Sequence, residues 1–358
     1  MKTYRIAAIP GDGIGKDVIP VGLDVLNAAA EAAASFALKV ERFPWGCEYS
    51  LTSGFVMPTD GLDTLRQFDA IYFGATGHPG VEEYLSPWRF ILVVRNGFEQ
   101  YVNMHPVKLL EGVSCPLVGK GPADIDLVIL RENTESEFAG PGGRVHPGGH
   151  PHELAMQVTV HTRYVVERLA HFGFQLARRR RRKVTNVGKS NALLHSGRFW
   201  DEVVAEVAAQ YPDVEYEQLY VDACAMNMIK RPERFDVIIT TNLFGDILSD
   251  LAAGISGGIG MGPRGNINPE RKYPSMFEPI SGSVPKYAGT GRANPIGAIW
   301  AGALMLDHLG ETRAAQAIIQ AIADVVREGR TRPPELGGTA TTTQVGQAIA
   351  ERVTALLH

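Results

Sequence analysis

Phe235-Asp-Val-Ile-Ile-Thr240, continued one residue later by Asn242-Leu-Phe-Gly-Asp246-Ile-Leu-Ser-Asp250, decides how this chain is read. The first segment is apolar and β-type, and the second reads as a helix opening at the strand's end. Asp246 and Asp250 stand at i and i+4, so a helix places both carboxylates on one face. Like charges at that spacing raise each other's pKa and repel unless a cation sits between them. A hard divalent ion suits such oxygens, Mg²⁺ or Mn²⁺ more than Zn²⁺. For an isolated Asp-x₃-Asp, two solvated acids on a surface helix are the commoner explanation. The rest of the chain shifts that balance.

Outward from this stretch, strands and helices alternate. Arg5–Ile9 reads as a strand, followed by the glycine turn Gly11-Asp-Gly-Ile-Gly15 and a helix of about fifteen residues. Ala70–Gly74, Leu127–Leu130, Val184–Val187 and Phe235–Thr240 read as further strands. Leu154–Thr159 reads as a strand ahead of a helix over Arg163–Phe172. Residues 313–327 form an amphipathic pattern with Ile318, Ile319, Ile322, Val325 and Val326 on one face. Such alternation predicts an α/β architecture with helices packed on a largely parallel sheet. The glycine turn lacks the G-x-G-x-x-G spacing, because residue 16 is Lys, so a Rossmann fold is rejected.

Composition narrows the function classes. With 358 residues the chain can hold two core-bearing domains. Its net charge of −4 gives no global electrostatic case for nucleic acid or membrane. Cys47, Cys115 and Cys224 are odd in number and widely spaced, which suits a reducing cytoplasm. No signal peptide precedes the first strand and no apolar run reaches transmembrane length, so a cytoplasmic protein is expected. The arginine run Arg178–Arg182 is expected to be a solvated loop rather than a nucleic-acid patch. His146, His150 and His152 lie in a Gly/Pro-rich stretch with no helix to present them, and are expected in a mobile loop rather than at a metal.

The Asp pair, with Arg131-Glu-Asn-Thr134 and Gly188-Lys-Ser-Asn191, resembles the β-decarboxylating dehydrogenases: the isocitrate, 3-isopropylmalate and tartrate/D-malate enzymes. Ile9–Gly15, Phe277-Glu-Pro279 and Ala293-Asn-Pro295 extend the resemblance in the right order over essentially the whole chain. Cys115–Lys120, Asn268-Pro-Glu-Arg271 and Ile299–Ala303 bring it nearest the tartrate/D-malate branch.

The resemblance implies a two-domain isopropylmalate-dehydrogenase-like fold with a mixed, largely parallel sheet. Residues 1–100 with 255–358 would form the cofactor domain and 101–254 the smaller domain. It implies oxidation, with decarboxylation, of a malate-type acid by a nicotinamide cofactor, a divalent ion acting as Lewis acid. Asp246 and Asp250 would hold Mg²⁺ or Mn²⁺ with Asp222 of a second subunit. Lys189, also from that subunit, would take the hydroxyl proton, so a homodimer with shared sites is expected. Arg95 and Arg131 match two of three carboxylate-binding arginines.

Departures from the family pattern are informative. The third arginine position is His105, whose charge depends on its local pKa. The tyrosine that protonates the enol is Phe138, which has no proton to give. Arg89, after Trp88, is an added cation facing the place of the substrate's distal group: either a solvent-facing arginine or a clamp on a further anion. In the cofactor segment Ser281, Gly282 and Asn294 are implied to bind the cofactor, Ser281 standing where the family carries an adenosine-contacting His. Lys286 and Tyr287 match the pair that holds a 2′-phosphate, so NADP is expected, with NAD as alternative. Pro333-Pro-Glu-Leu-Gly337 is short, as in NAD enzymes. The expected substrate is D-malate- or tartrate-like. A malate with an extra anion on C3 (isocitrate-, isopropylmalate- or phosphonomethylmalate-like) is one alternative, and a non-catalytic acid- or RNA-binding relative is another.

Overall fold

Short runs of β-branched and aromatic residues, punctuated by Gly and Pro, build one long sheet, as a computed structural model describing residues 1–358 shows. The strands are β1 (Lys2–Gly11), β2 (Phe36–Arg42), β3 (Ala70–Ala75), β4 (Val102–Lys108), β5 (Asp126–Glu132), β6 (Gly142–Val145), β7 (Leu154–Gln157), β8 (Lys183–Gly188), β9 (Glu215–Tyr220), β10 (Val237–Thr240), β11 (Pro263–Ile267) and β12 (Ser275–Pro279). Ten of them form a sheet in the order β2-β1-β3-β12-β11-β4-β5-β10-β8-β9. Six neighbour pairs are parallel. The three antiparallel pairs, β12–β11, β11–β4 and β4–β5, lie together at its middle. The sheet is therefore mixed and largely parallel, as read from the sequence. β3 and β10 are buried along their whole length, which explains their unbroken apolar runs.

The strands from β2 to β11 come from residues before 100 and after 255, and those from β4 to β9 from the segment between. Four helices pack beside the first group: Gly15–Ala33, Ile296–Leu309, Thr312–Glu328 and Thr342–Leu357. Ile296–Leu309 is apolar all round because neighbouring helices and strands enclose it. On Thr312–Glu328 the stripe Ile318, Ile322, Val325 and Val326 is buried, with Ile319 at its edge.

The turn at Gly11–Gly15 is sterically dictated. Gly11 has φ +69°, and a Cβ there would lie 1.9 Å from the Ala75 carbonyl oxygen. Asp12, almost fully buried, accepts N–H bonds from Cys47 (2.7 Å), Glu48 (2.8 Å) and Gly77 (2.9 Å). The Ile14 N–H donates to the Ser283 carbonyl (2.8 Å), tying this turn to the 281–287 loop.

The strand expected over Leu154–Thr159 is present as β7, ahead of the helix Arg163–Arg178, but it lies outside the main sheet: it pairs only with β6, in an exposed arm where Leu154 and Met156 are each 50% exposed. Alternation alone could not tell a strand facing its own core from one facing outward. The arginine run is solvated only in part. Arg178 pairs with Asp213 (2.6 Å), and Arg180 bridges Asp126 (2.6 Å) and Asp236 (2.8 Å). Asp236 is 1% exposed and also accepts the Arg181 N–H (2.8 Å). A buried carboxylate needs such partners, and only tertiary structure reveals that it is buried. The histidines at 146, 150 and 152 are exposed on the arm's loop.

Candidate active site

The helix Asn242–Ile255 starts as β10 ends, as the sequence predicts. Arg131, at the end of β5, lies across Gly245, where a Cβ would come within 2.5 Å of its side chain. Its Nε donates to Asn242 Oδ1 (2.8 Å), and the guanidinium is ion-paired with Asp246. Asp250 shares that helix face. Burial and then the adjacent Asp246 raise it above the usual carboxylate range. No three His, Cys, Asp or Glu side chains gather at one point in a single chain. A cation held by Asp246 and Asp250 therefore needs ligands from elsewhere.

Asp222 opens the helix Val221–Lys230. Its carboxylate is 2.6 Å from Lys189 Nζ, and that contact holds it below the usual range. Both lie beside an apolar surface in which Tyr220, Met226, Ile229 and Ile247 are exposed. Helices Val221–Lys230 and Asn242–Ile255 pack side by side.

Arg95, Arg131 and His105 are brought together, each 4% exposed or less. Burial, then Arg131 and Arg264, lower Arg95 to about 9, which leaves it charged at neutral pH. His105 is fully buried, and neither ring nitrogen has a hydrogen-bond partner. Burial and then Arg264, Arg131 and Arg95 push it well below the usual histidine range. It is a neutral imidazole, not a third cation. Arg264 and Glu278 join the same cluster and were given no role from sequence. Glu278 lies 3.1 Å from Arg264 Nε and 3.7 Å from an Arg95 terminal nitrogen, and accepts from Asn266 Nδ2 (2.7 Å). Asn103 links Asn133 (2.8 Å) and Asn266 (3.0 Å) beneath it. Glu278 stood inside a quoted motif, whereas Arg264, in a Gly-Pro-Arg-Gly turn-like stretch, carried no signal.

The Phe138 ring faces the Arg131 guanidinium at 5.4 Å, so it keeps the hydrocarbon contact of a tyrosine without its hydroxyl. Trp88 reaches Gly140, where a Cβ would lie 3.1 Å from its ring. Arg89, in the π-turn Pro87–Ile91, is exposed and outside the buried cluster.

Ser281, Gly282, Tyr287 and Asn294 line one cavity of 380 Å³. Lys286 does not line it, but its Nζ lies 4.9 Å over the Tyr287 ring. Arg292, missed from sequence, lines the cavity with its guanidinium 5.6 Å from the same ring. Asn294 Nδ2 donates to Glu335 (2.9 Å), also in the wall. A second cleft, of 680 Å³, shares Ser281, Gly282 and Val284 with the first and continues to Arg264 and Glu278. Val284 sits at φ +36°, an outlier for a β-branched residue, in the wall common to both. A dinucleotide fits this donor set: an adenosine-sized cavity joined to a cleft that ends at the arginine cluster.

Residues 5–349 match the family model described as isocitrate/isopropylmalate dehydrogenase. The chain is 48% identical to the D-malate dehydrogenase [decarboxylating] of Escherichia coli (strain K12), covering 98% of this chain and 99% of that one. It is 44% identical to the tartrate dehydrogenase/decarboxylase of Pseudomonas putida, covering 99% of each. The crystal structure of isocitrate dehydrogenase from Methylococcus capsulatus superposes with a TM-score of 0.87, at 36% identity, covering 98% of this chain and 99% of that one.

Proposed function

The chain belongs to the isocitrate/isopropylmalate dehydrogenase family, and on that premise we propose that it oxidises a D-malate- or tartrate-like acid with NADP⁺ and Mg²⁺ or Mn²⁺. The observation that carries this reading is the pairing of two incomplete half-sites on one chain. One is Asp246 and Asp250 with the arginine cluster, and the other is Lys189 with Asp222 on an exposed apolar face. A two-fold dimer that buries this face would bring one subunit's Lys189 and Asp222 to its partner's Asp246 and Asp250. The sheet halves, 1–100 with 255–358 and 101–254, are taken as the two domains around the cleft. Free Cys47, Cys115 and Cys224 suit a cytoplasmic setting.

Asp246 and Asp250, with Asp222 of a second subunit, would hold a divalent ion, which would supply Lewis acidity at the substrate. Arg95 and Arg131 hold carboxylate oxygens with planar guanidinium donors. Lys189 would take the hydroxyl proton, and a nicotinamide bound in the cleft would supply the hydride acceptor for C2. Engagement of Asp222 by the cation would release Lys189 Nζ from its 2.6 Å contact with that carboxylate and leave it free to meet the substrate hydroxyl. Breaking the bond from C3 to its carboxylate would release CO₂ and leave an enolate whose C3 needs one proton, which Phe138 cannot give. Tyr287 between Lys286 and Arg292 supports a 2′-phosphate site.

A malate with an extra anion on C3 is the second reading, and Arg89 beside exposed Trp88 is the group that would meet it. RNA binding through the arginine run is disfavoured, because Arg178 and Arg180 are already paired with carboxylates. The test is NADPH formation with D-malate, the tartrates, isocitrate and 3-isopropylmalate, each with Mn²⁺ and with excess chelator. Metal-dependent reduction with D-malate or a tartrate is expected. No turnover of any of these acids overturns the reading, and full activity in chelator overturns the metal.

A further inference from the structure

Arg264 has no role in what has been derived so far, yet it occupies a particular place. Gly265 pairs with Met104 and Asn266 with Asn103, so the antiparallel register carries Arg264 opposite His105. On its other side Arg264 pairs directly with Glu278. Directly opposed residues share a face of the sheet. His105, Arg264 and Glu278 thus form one row across β4, β11 and β12. We propose that Arg264 supplies the third cationic contact to the substrate's C3 carboxylate, acting from β11 opposite the β4 position that His105 occupies.

This rests on the malate-type reading above and adds to it the residue that selects a dicarboxylate. Three observations carry it. First, polar nitrogens of this cluster are left unsatisfied: Arg95 Nε and both ring nitrogens of His105 are buried with no hydrogen bond, and Arg264 Nε has only its ion-pair contact with Glu278 (3.1 Å), out of hydrogen-bond alignment. Buried donors left unmade are costly, and a carboxylate is the acceptor that would satisfy guanidinium groups together. Second, the charges do not balance. With Asp246 and Asp250 reserved for a cation, Arg95, Arg131 and Arg264 face only Glu278, which leaves two positive charges. A dicarboxylate matches that surplus and a monocarboxylic 2-hydroxy acid does not. Third, Arg264 lines the cleft of 680 Å³, so a ligand entering there reaches it. Neutralising Glu278 is an incomplete account of Arg264, since Glu278 already accepts from Asn266 (2.7 Å) and lies 3.7 Å from Arg95.

The experiment uses the full-length enzyme with Mn²⁺ and NADP⁺, and calorimetric binding of D-malate alongside turnover. Arg264→Met is expected to raise both the KM and the Kd for D-malate about 10–100-fold, the loss of a charge-assisted hydrogen bond. Kd for NADP⁺ should stay within about two-fold. Arg264→Lys should recover part of the loss. His105→Arg combined with Arg264→Ser, which moves the guanidinium across the strand pair, should recover most of it. A folded Arg264→Met that binds D-malate like the unmodified protein overturns the proposal. So does equal loss of D-malate and NADP⁺ binding, which marks a structural role. Should Arg264→Met not fold, the other two variants decide. Weak D-malate binding by both, with NADP⁺ binding intact, overturns the proposal, and recovery supports it. An unmodified protein that binds no dicarboxylate refutes the malate-type reading itself. That outcome is distinct, because failure of the Arg264 proposal requires an unmodified protein that binds.

Discussion

Reversal of charge at Lys286 is the sharpest test of cofactor choice. Lys286 and Arg292 flank the Tyr287 ring at 4.9 and 5.6 Å, and all three side chains are exposed. A hydrogen bond from a charged donor is worth about 1.5–3 kcal/mol when sheltered. Exposure reduces this to about 1 kcal/mol for each cation on a 2′-phosphate, or about 5-fold in affinity. Two such cations give NADP⁺ an advantage of about 30-fold. Lys286→Asp removes one contact and places a carboxylate about 5 Å from the phosphate, which adds about 1 kcal/mol of repulsion at the dielectric of water. The expected result is a fall of about 30-fold in kcat/KM for NADP⁺ with little change for NAD⁺. Arg292→Ala should cost about 5-fold, selectively for NADP⁺. The assay is initial-rate kinetics with both cofactors at saturating substrate and Mn²⁺, at low and moderate salt, because exposed charge contacts weaken with ionic strength. A higher kcat/KM with NAD⁺ in the unmodified protein refutes the reasoning. Equal losses with both cofactors from Lys286→Asp would do so too, since NAD⁺ lacks the 2′-phosphate that the new charge would repel.

Asp246→Asn should weaken Mn²⁺ binding and lower kcat by at least about 100-fold. Arg131 keeps its bond to Asn242, so the loss in folding stability should stay within about 1–3 kcal/mol; calorimetry and a thermal melt separate the two effects. Phe138→Tyr should speed release of the final keto acid by up to about 10²–10⁴-fold where enol protonation limits turnover, and product-resolved kinetics check this. Stability should fall on acidification from pH 6.5 towards 4. His161 and His308, each lowered to about 4 by burial, and His105, held well below the usual histidine range by burial, take up protons only on unfolding. Glu132, raised to about 7 by burial, works the other way. Near pH 5.5 these groups leave a net uptake of about two protons on unfolding, or about 3 kcal/mol per pH unit. Glu132→Gln should steepen that slope, and urea titrations showing stability that is flat or rising as pH falls would contradict it.

The parts of this molecule that were legible in the sequence are those whose physics is local. Asp246 and Asp250 share a helix face because of a four-residue step, and Gly11 is glycine because any Cβ would strike Ala75. The buried strands announced themselves as unbroken apolar runs. What escaped depends on distant parts of the chain. Arg264 meets His105 and Glu278 only through strand register, and nothing within ten residues of it marks that meeting. Arg180 is structural only because Asp236 is buried. Leu154 and Met156 alternate like core residues but face outward on a two-stranded arm.

The proton balance of the proposed reaction constrains what can stand in for the absent phenol. His105 is close to the arginine cluster but a poor candidate. Three guanidinium groups and full burial keep its imidazolium form out of reach at neutral pH, so it has no acidic proton to offer. Glu132 holds a proton more readily than most carboxylates, yet that carboxyl is spent on the Thr134 and Glu135 N–H groups (2.6 and 2.9 Å). Lys189 differs from both. It is partly exposed beside Asp222, and in the proposed oxidation it would acquire the very proton that C3 of the enolate later requires. Returning that proton to C3 closes the cycle with no second acid and leaves Lys189 a free amine, ready for the next hydroxyl. On this account Phe138 need only keep its ring against Arg131. Lys189→Met should abolish oxidation of the hydroxy acid. It should also abolish protonation of an enol formed from the supplied keto acid, and a variant that still carried out the second half-reaction would mean that another group holds the proton.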